Sequence, residues 1–182
     1  MSYTWEAWAL DPERLLAELR TPSLAAAAVR FDPLDDVLVA AQRRWDELGR
    51  RIADALAAGG GDLTGDLANY VVLVVRSLGA FAASVGHTSS GGGWFRDELL
   101  GREAAAVLGR KTVVRLLVRE LGGLTLLDGP MLGWLDLAEC RTAADQVAGF
   151  APGEGTSEDL WQVLDAVTVG AARGTGLVTL YV

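Results

Sequence analysis

The chain has 182 residues, a formal net charge of -8, one His, one Cys and 22 Gly. Half of it (51%) is hydrophobic, which suits one packed domain and argues against disorder. A single cysteine excludes an intramolecular disulfide and, with a single histidine, a Cys/His zinc site; any His-based triad is confined to His87.

Large and small residues alternate from Tyr3 to Leu10, with a density of aromatics that predicts a strand. Asp11-Pro12 then starts a helix to about Arg20, because Asp11 can accept orphan N–H groups and Pro12 fits a first helical turn. Thr21-Pro22 ends it. Ser23 caps a short Ala-rich helix, Leu24 to Arg30, and Asp32-Pro33 repeats the start signal. Leu34, Val37, Leu38, Ala41, Trp45, Leu48, Ile52, Ala55 and Leu56 keep spacings of three and four, so one long helix is predicted from about Leu34 to Ala58. Gly59-Gly60-Gly61 breaks it.

Asp66 opens the most apolar stretch, predicted as a single central helix to about Val85 with Gly79 inside it. Arg76 would stand near the middle of any membrane span, so this is read as a core helix. Gly86 to Gly93 reads as a flexible polar loop. Helices are predicted over Trp94 to Leu108 and Thr112 to Leu121, with a strand as the alternative at Thr112-Val113-Val114. Leu124 to Leu127 reads as a short strand before the turn Asp128-Gly129-Pro130. Asp136 and Glu139 have capping-box spacing for a helix from Leu137 to about Val147, and Ser157 caps a last helix to about Ala172. Leu177 to Val182 closes the chain as a strand of strong β character. Its backbone groups need partners, and the candidates are Tyr3 to Leu10 and Leu124 to Leu127. The expected fold is therefore α+β: one helix-dominated domain over residues 1–182, with a small sheet built from the N- and C-terminal strands.

Fifteen of the sixteen basic residues are Arg, as in a GC-rich genome. Net negative charge disfavours nucleic acid as a partner. The densest basic cluster, Arg43, Arg44, Arg50 and Arg51, interleaves with Asp46, Glu47 and Asp54 and reads as a solvated helix face. The first residues show neither a basic nor an apolar leader region, and with the free Cys140 this predicts a cytoplasmic protein with no membrane partner.

Motifs for chemistry are sparse. Gly109-Arg110-Lys111-Thr112 misses the spacing of a phosphate-binding loop, and Arg76-Ser77-Leu78-Gly79 lacks the first Gly and the turn of a nucleophile elbow. Cys140 falls inside a predicted helix and reads as a buried thiol. The carboxylate pairs Asp35/Asp36, Asp97/Glu98 and Glu158/Asp159 each open a predicted helix, where capping and the helix dipole explain them; no metal or other cofactor is implied. The loop around His87 is the candidate ligand site. His87, Ser89, Ser90, Trp94, Asp97 and Glu98 could offer backbone N–H groups, hydroxyls and a carboxylate-oriented imidazole. No residue is assigned a catalytic role. Trp5 and Trp8 have opposite strand parity, so one of them faces outward and marks a candidate interaction surface.

Tyr3-Thr4-Trp5-Glu6-Ala7-Trp8-Ala9-Leu10-Asp11, Gly91-Gly92-Gly93-Trp94-Phe95, Gly133-Trp134 before Glu139-Cys140, and Ala171-Ala172-Arg173-Gly174-Thr175-Gly176-Leu177-Val178 follow one another in an order that resembles the small bacterial YfbM-like domains of unknown function, especially their actinobacterial relatives. The resemblance implies an α+β cytoplasmic protein and carries over no activity or catalytic residue.

Two functional readings follow. In the first, the chain is a non-catalytic, acidic protein-binding module, an immunity- or antitoxin-like partner of a basic protein, with complementary charge speeding the encounter. In the second, it is a small-molecule enzyme or sensor using the Gly86–Gly93 loop with His87. A further reading is a scaffold or oligomerising protein without a ligand, its terminal strand pairing with a copy of itself across an exposed edge to give a homodimer.

Overall fold

The computed structural model describes residues 2–21, 45–88, 99–151, 153 and 156–182. Its elements run β1 (Ser2–Ala9), α1 (Pro12–Arg20), α2 (Trp45–Ala57), β2 (Gly61–Leu63), α3 (Asp66–Leu78), β3 (Ala80–Thr88), α4 (Leu99–Leu108), α5 (Arg110–Arg115), β4 (Leu124–Leu126), β5 (Met131–Leu135), α6 (Leu137–Ala148), α7 (Glu158–Arg173) and β6 (Leu177–Tyr181). The fold is α+β, as expected. The helix expected over Leu24 to Arg30 and the start of the one expected from Leu34 lie outside the described residues.

Four strands form one antiparallel sheet in the order β3-β1-β6-β5, with the two terminal strands at its centre. All five residues of β6 are buried, because both faces of the sheet are covered. On one face Val178, Leu180 and Leu132 pack against Leu15 and Leu19 of α1, Leu48 and Ile52 of α2, and Val71 to Val75 of α3. On the other, Trp5, Ala7, Ala83, Val85, Leu177 and Tyr181 pack against Ala104 and Leu108 of α4, Cys140 and Ala143 of α6, and Val163, Leu164 and Val167 of α7.

Several helix ends follow their local chemistry. Asp11 accepts from the Glu13 N–H and Ser157 from the Leu160 N–H. Asp136 and Glu139 form the complete capping box of α6. Helix α3 differs from expectation: its N-cap is Gly65, with no side-chain cap, and Asp66 is its first residue.

Three other expectations are corrected. The apolar stretch from Asp66 is a helix and then a strand. Helix α3 stops at Leu78, Gly79 turns to an extended conformation (φ -83°, ψ 154°), and Ala80–Thr88 pairs with β1. A Cβ at Gly79 would stand 2.9 Å from Trp8 Cβ and 3.0 Å from the Val75 carbonyl oxygen, so the helix end can press onto β1 only without a side chain there. The segment Leu124 to Leu126 does not partner the terminal strand; it pairs in parallel with β2, and β5 takes the place beside β6. The helix expected over Thr112 to Leu121 is the short α5, capped at Leu116. Among the described residues no helix is long and apolar enough to cross a membrane.

Candidate functional site

Strand parity on β1 sends Trp5 and Ala7 to the α7 face and Glu6 and Trp8 to the α3 face. Trp5 is wholly buried, and its indole N–H donates to the Leu116 carbonyl oxygen at 3.3 Å. It therefore cannot belong to a recognition surface in the folded chain, and the pair Trp5 and Trp8 reduces to Trp8 alone. The register of β1 on β3 slips between Ala7 and Trp8: Ala7 faces Ala83, and Trp8 faces Phe81. The slip sets the Phe81 ring edge-on to Trp8 at 5.3 Å between centroids and 75° between planes. Phe81 is 54% exposed, the most exposed of the large apolar side chains described.

Beneath this aromatic pair lies an ion pair. Arg76, in the last turn of α3, grips Glu6 with two bonds, Nε to Oε2 at 3.0 Å and NH2 to Oε1 at 2.7 Å. The Trp8 indole N–H donates to the same Oε2 at 3.2 Å. The Glu6 side chain is only 14% exposed, so this carboxylate is a structural acceptor held by three donors.

A second cluster lies on β5, α6 and the segment that follows α5. Glu139 accepts from Arg115 on one oxygen and from Arg119 on the other, while closing the capping box. The Arg119 guanidinium lies over the Trp134 ring, 3.3 Å from its centroid, and also donates to the Trp134 carbonyl oxygen at 3.2 Å. Trp134 is fixed in turn by its indole N–H, which donates to the Glu120 carbonyl oxygen at 3.0 Å. Two cations share the Glu139 carboxylate, and the Asp136 carboxylate of the same capping box stands beside it.

Of the predicted ligand site, the structure places only His87, and as a strand residue: its backbone stands opposite Tyr3 in β3. Gly86, His87 and Thr88 thus belong to the sheet and not to a flexible loop. Ser89, Ser90, Trp94, Asp97 and Glu98 lie outside the described residues. Cys140 is buried as predicted, with its thiol pushed up to about 12, chiefly by burial and then by the carboxylates of Asp136 and Glu139. Among the described residues no group of three or more His, Cys, Asp or Glu is arranged to hold a metal ion.

Phe81 does not stand out in the sequence, because the stretch from Asp66 reads as one helix; Gly79 followed by the alternation of β3 is the available signal. Arg115, Arg119 and Trp134 were missed because Glu139 already had a role as a capping residue, and sequence spacing does not show a second one. No protein-family model, curated protein or solved structure matches the chain.

Proposed function

We propose that this chain is a non-catalytic protein-binding module working in the cytoplasm as the acidic, immunity- or antitoxin-like partner of a basic protein. The observation that carries the reading is the exposed Phe81 ring set against Trp8 on a strand pair braced by the Glu6–Arg76 ion pair. A rigid aromatic anchor loses little side-chain entropy on binding and buries a large area, the usual energetic centre of an interface. The net charge of -8 supports a basic partner, since long-range attraction raises the encounter rate.

The test is capture from host lysate on the immobilised protein, run in parallel with Phe81→Ser. The reading expects a basic protein held at low salt, released by high salt, and lost from the variant. Recovery of no partner at low salt, or equal recovery on the variant, overturns it.

A further inference from the structure

A different surface has the opposite character. Residues 110–119 hold four of the sixteen basic side chains, including the single Lys, and no acidic one. Removing these four cations from the net charge of -8 leaves -12 on the rest of the chain. Helical hydrogen bonding continues past the end of α5: the Leu116 N–H donates to the Thr112 carbonyl oxygen at 3.0 Å, and the Val118 N–H to that of Val114 at 2.9 Å. Val114 and Val118, four apart, therefore lie on the same side as Arg110. One row is Arg110, Val114 and Val118; Lys111 and Arg115 lie beside it, and Arg119, whose N–H donates to the Leu132 carbonyl oxygen at 2.9 Å, follows where the helical pattern has ended. Val114 and Val118 are 42% and 48% exposed, while Val113, Leu116 and Leu117 turn inward. Arg110 and Lys111 are exposed. Arg115 and Arg119 are already ordered by Glu139, and Arg119 by Trp134, so little entropy remains to be lost when they meet a ligand.

We propose that this ridge docks a short acidic segment of another protein, one that places large apolar side chains beside carboxylates. Charge complementarity selects the occupant. The carboxylates face Lys111, Arg115 and Arg119, and the apolar side chains cover the two valines. A short peptide meets only the ridge, whereas an extended polyanion such as nucleic acid or an anionic membrane reaches farther over a chain whose remaining charge is -12. The proposal does not depend on the Trp8–Phe81 surface.

Fluorescence anisotropy on the full chain tests it with a short labelled peptide carrying Glu and Leu at helical spacing. The controls are the same peptide with Ser for Leu, phosphatidylserine vesicles, and single-stranded DNA. The wild type is expected to bind the Glu/Leu peptide more tightly than any control. Val114→Ser with Val118→Ser weakens binding about tenfold, by removing the apolar contact. Arg110→Gln with Lys111→Gln weakens it about fivefold and flattens its salt dependence. Phe81→Ser leaves it unchanged, which separates this site from the proposed recognition surface. All five positions substituted are exposed, and a thermal melt of each variant checks that the fold survives. The proposal is overturned if the wild type fails to bind the peptide, if the Ser-containing peptide binds as well, if vesicles or DNA bind more tightly, or if both double variants bind like the wild type.

Discussion

The two clusters use the same three residue types and arrange them differently. At Glu6, one carboxylate meets one guanidinium, the indole of Trp8 donates to the carboxylate, and the charges cancel. At Glu139, one carboxylate meets two guanidiniums, and the Trp134 ring receives a cation on its face. The first arrangement braces an exposed aromatic; the second holds two cations at the surface. What decides the difference is which part of the tryptophan is used, the N–H edge or the π face, and that follows from where each backbone places the ring.

Each cluster also rests on a glycine at a close approach, and replacing these is the strongest way to break the comparison. A Cβ at Gly133 would lie 2.6 Å from both the Leu116 carbonyl oxygen and Thr179 Oγ1, between β5 and the end of α5. That oxygen also accepts from Trp5 and Thr179, so it cannot move without losing two buried bonds. Gly133→Ala is expected to cost about 3 kcal/mol and lower Tm by about 9 °C. Gly79→Ala meets Trp8 Cβ and the Val75 carbonyl oxygen at slightly longer distances, and is expected to cost about half as much, roughly 1.5 kcal/mol. A scanning calorimetry comparison of the two tests the order; equal losses would show that the α5 junction yields as easily as the end of α3.

Charge removal sharpens the comparison further. Glu139→Ala deletes a capping-box partner and leaves Arg115 and Arg119 facing each other, an expected loss of about 2 kcal/mol after allowing for their partial exposure. Because part of that loss is like-charge repulsion, it should shrink as salt is added. Glu6→Gln keeps an acceptor for Trp8 but leaves Arg76 uncompensated, an expected loss of about 1 kcal/mol. Urea melts at two ionic strengths measure both. A Glu139→Ala penalty insensitive to salt would mean that the second cluster is held by its cap alone.

Signals that act within a few residues were legible in the sequence. Asp11-Pro12, Asp136 with Glu139, and Ser157 each specify a helix start through bonds to the adjacent turn, and these starts form as read. The terminal strand also declared itself, because a β-branched run at a chain end needs a neighbour. The boundary at Gly79 was not legible. Val71 to Val75 of α3 and the alanines of β3 are separated by only two polar residues, Arg76 and Ser77, and a strand covered by an adjacent strand and helices resembles a buried helix in composition. Strand β5 was missed for a related reason: Met131 to Leu135 is short, contains Gly133, and gains its strand character only by pairing with β6. The candidate surfaces depend on these long-range pairings. Phe81 meets Trp8 only through the slipped register, and Arg119 meets Trp134 only because β5 lies beside the end of α5.

The smallest expected effect concerns two buried acids that neither cluster uses for binding. Tyr70 is 1% exposed against the Trp45 ring, and its hydroxyl has no hydrogen-bond partner among the described residues. Tyr70→Phe removes a polar atom that folding desolvates without compensation, so near neutral pH it should be neutral or stabilising by up to about 1 kcal/mol. Its pH dependence has a definite sign. Burial, and then the carboxylates of Glu18 and Asp46, push the Tyr70 hydroxyl up to about 12 from 10.0 in the unfolded chain. Burial does the same to Cys140, from 9.0 to about 12. Above each unfolded value the unfolded state holds fewer protons than the native state, so stability falls as pH rises. The Cys140 contribution is complete below pH 9 and declines from there toward 12; that of Tyr70 begins its decline at about 10. Urea melts between neutral pH and about 11 should therefore show a steepening loss, with Cys140→Ala flattening its onset and Tyr70→Phe flattening its upper part. If Tyr70→Phe destabilises the protein at neutral pH and leaves the alkaline slope intact, the hydroxyl has a partner in solution and the burial account of its shift is wrong.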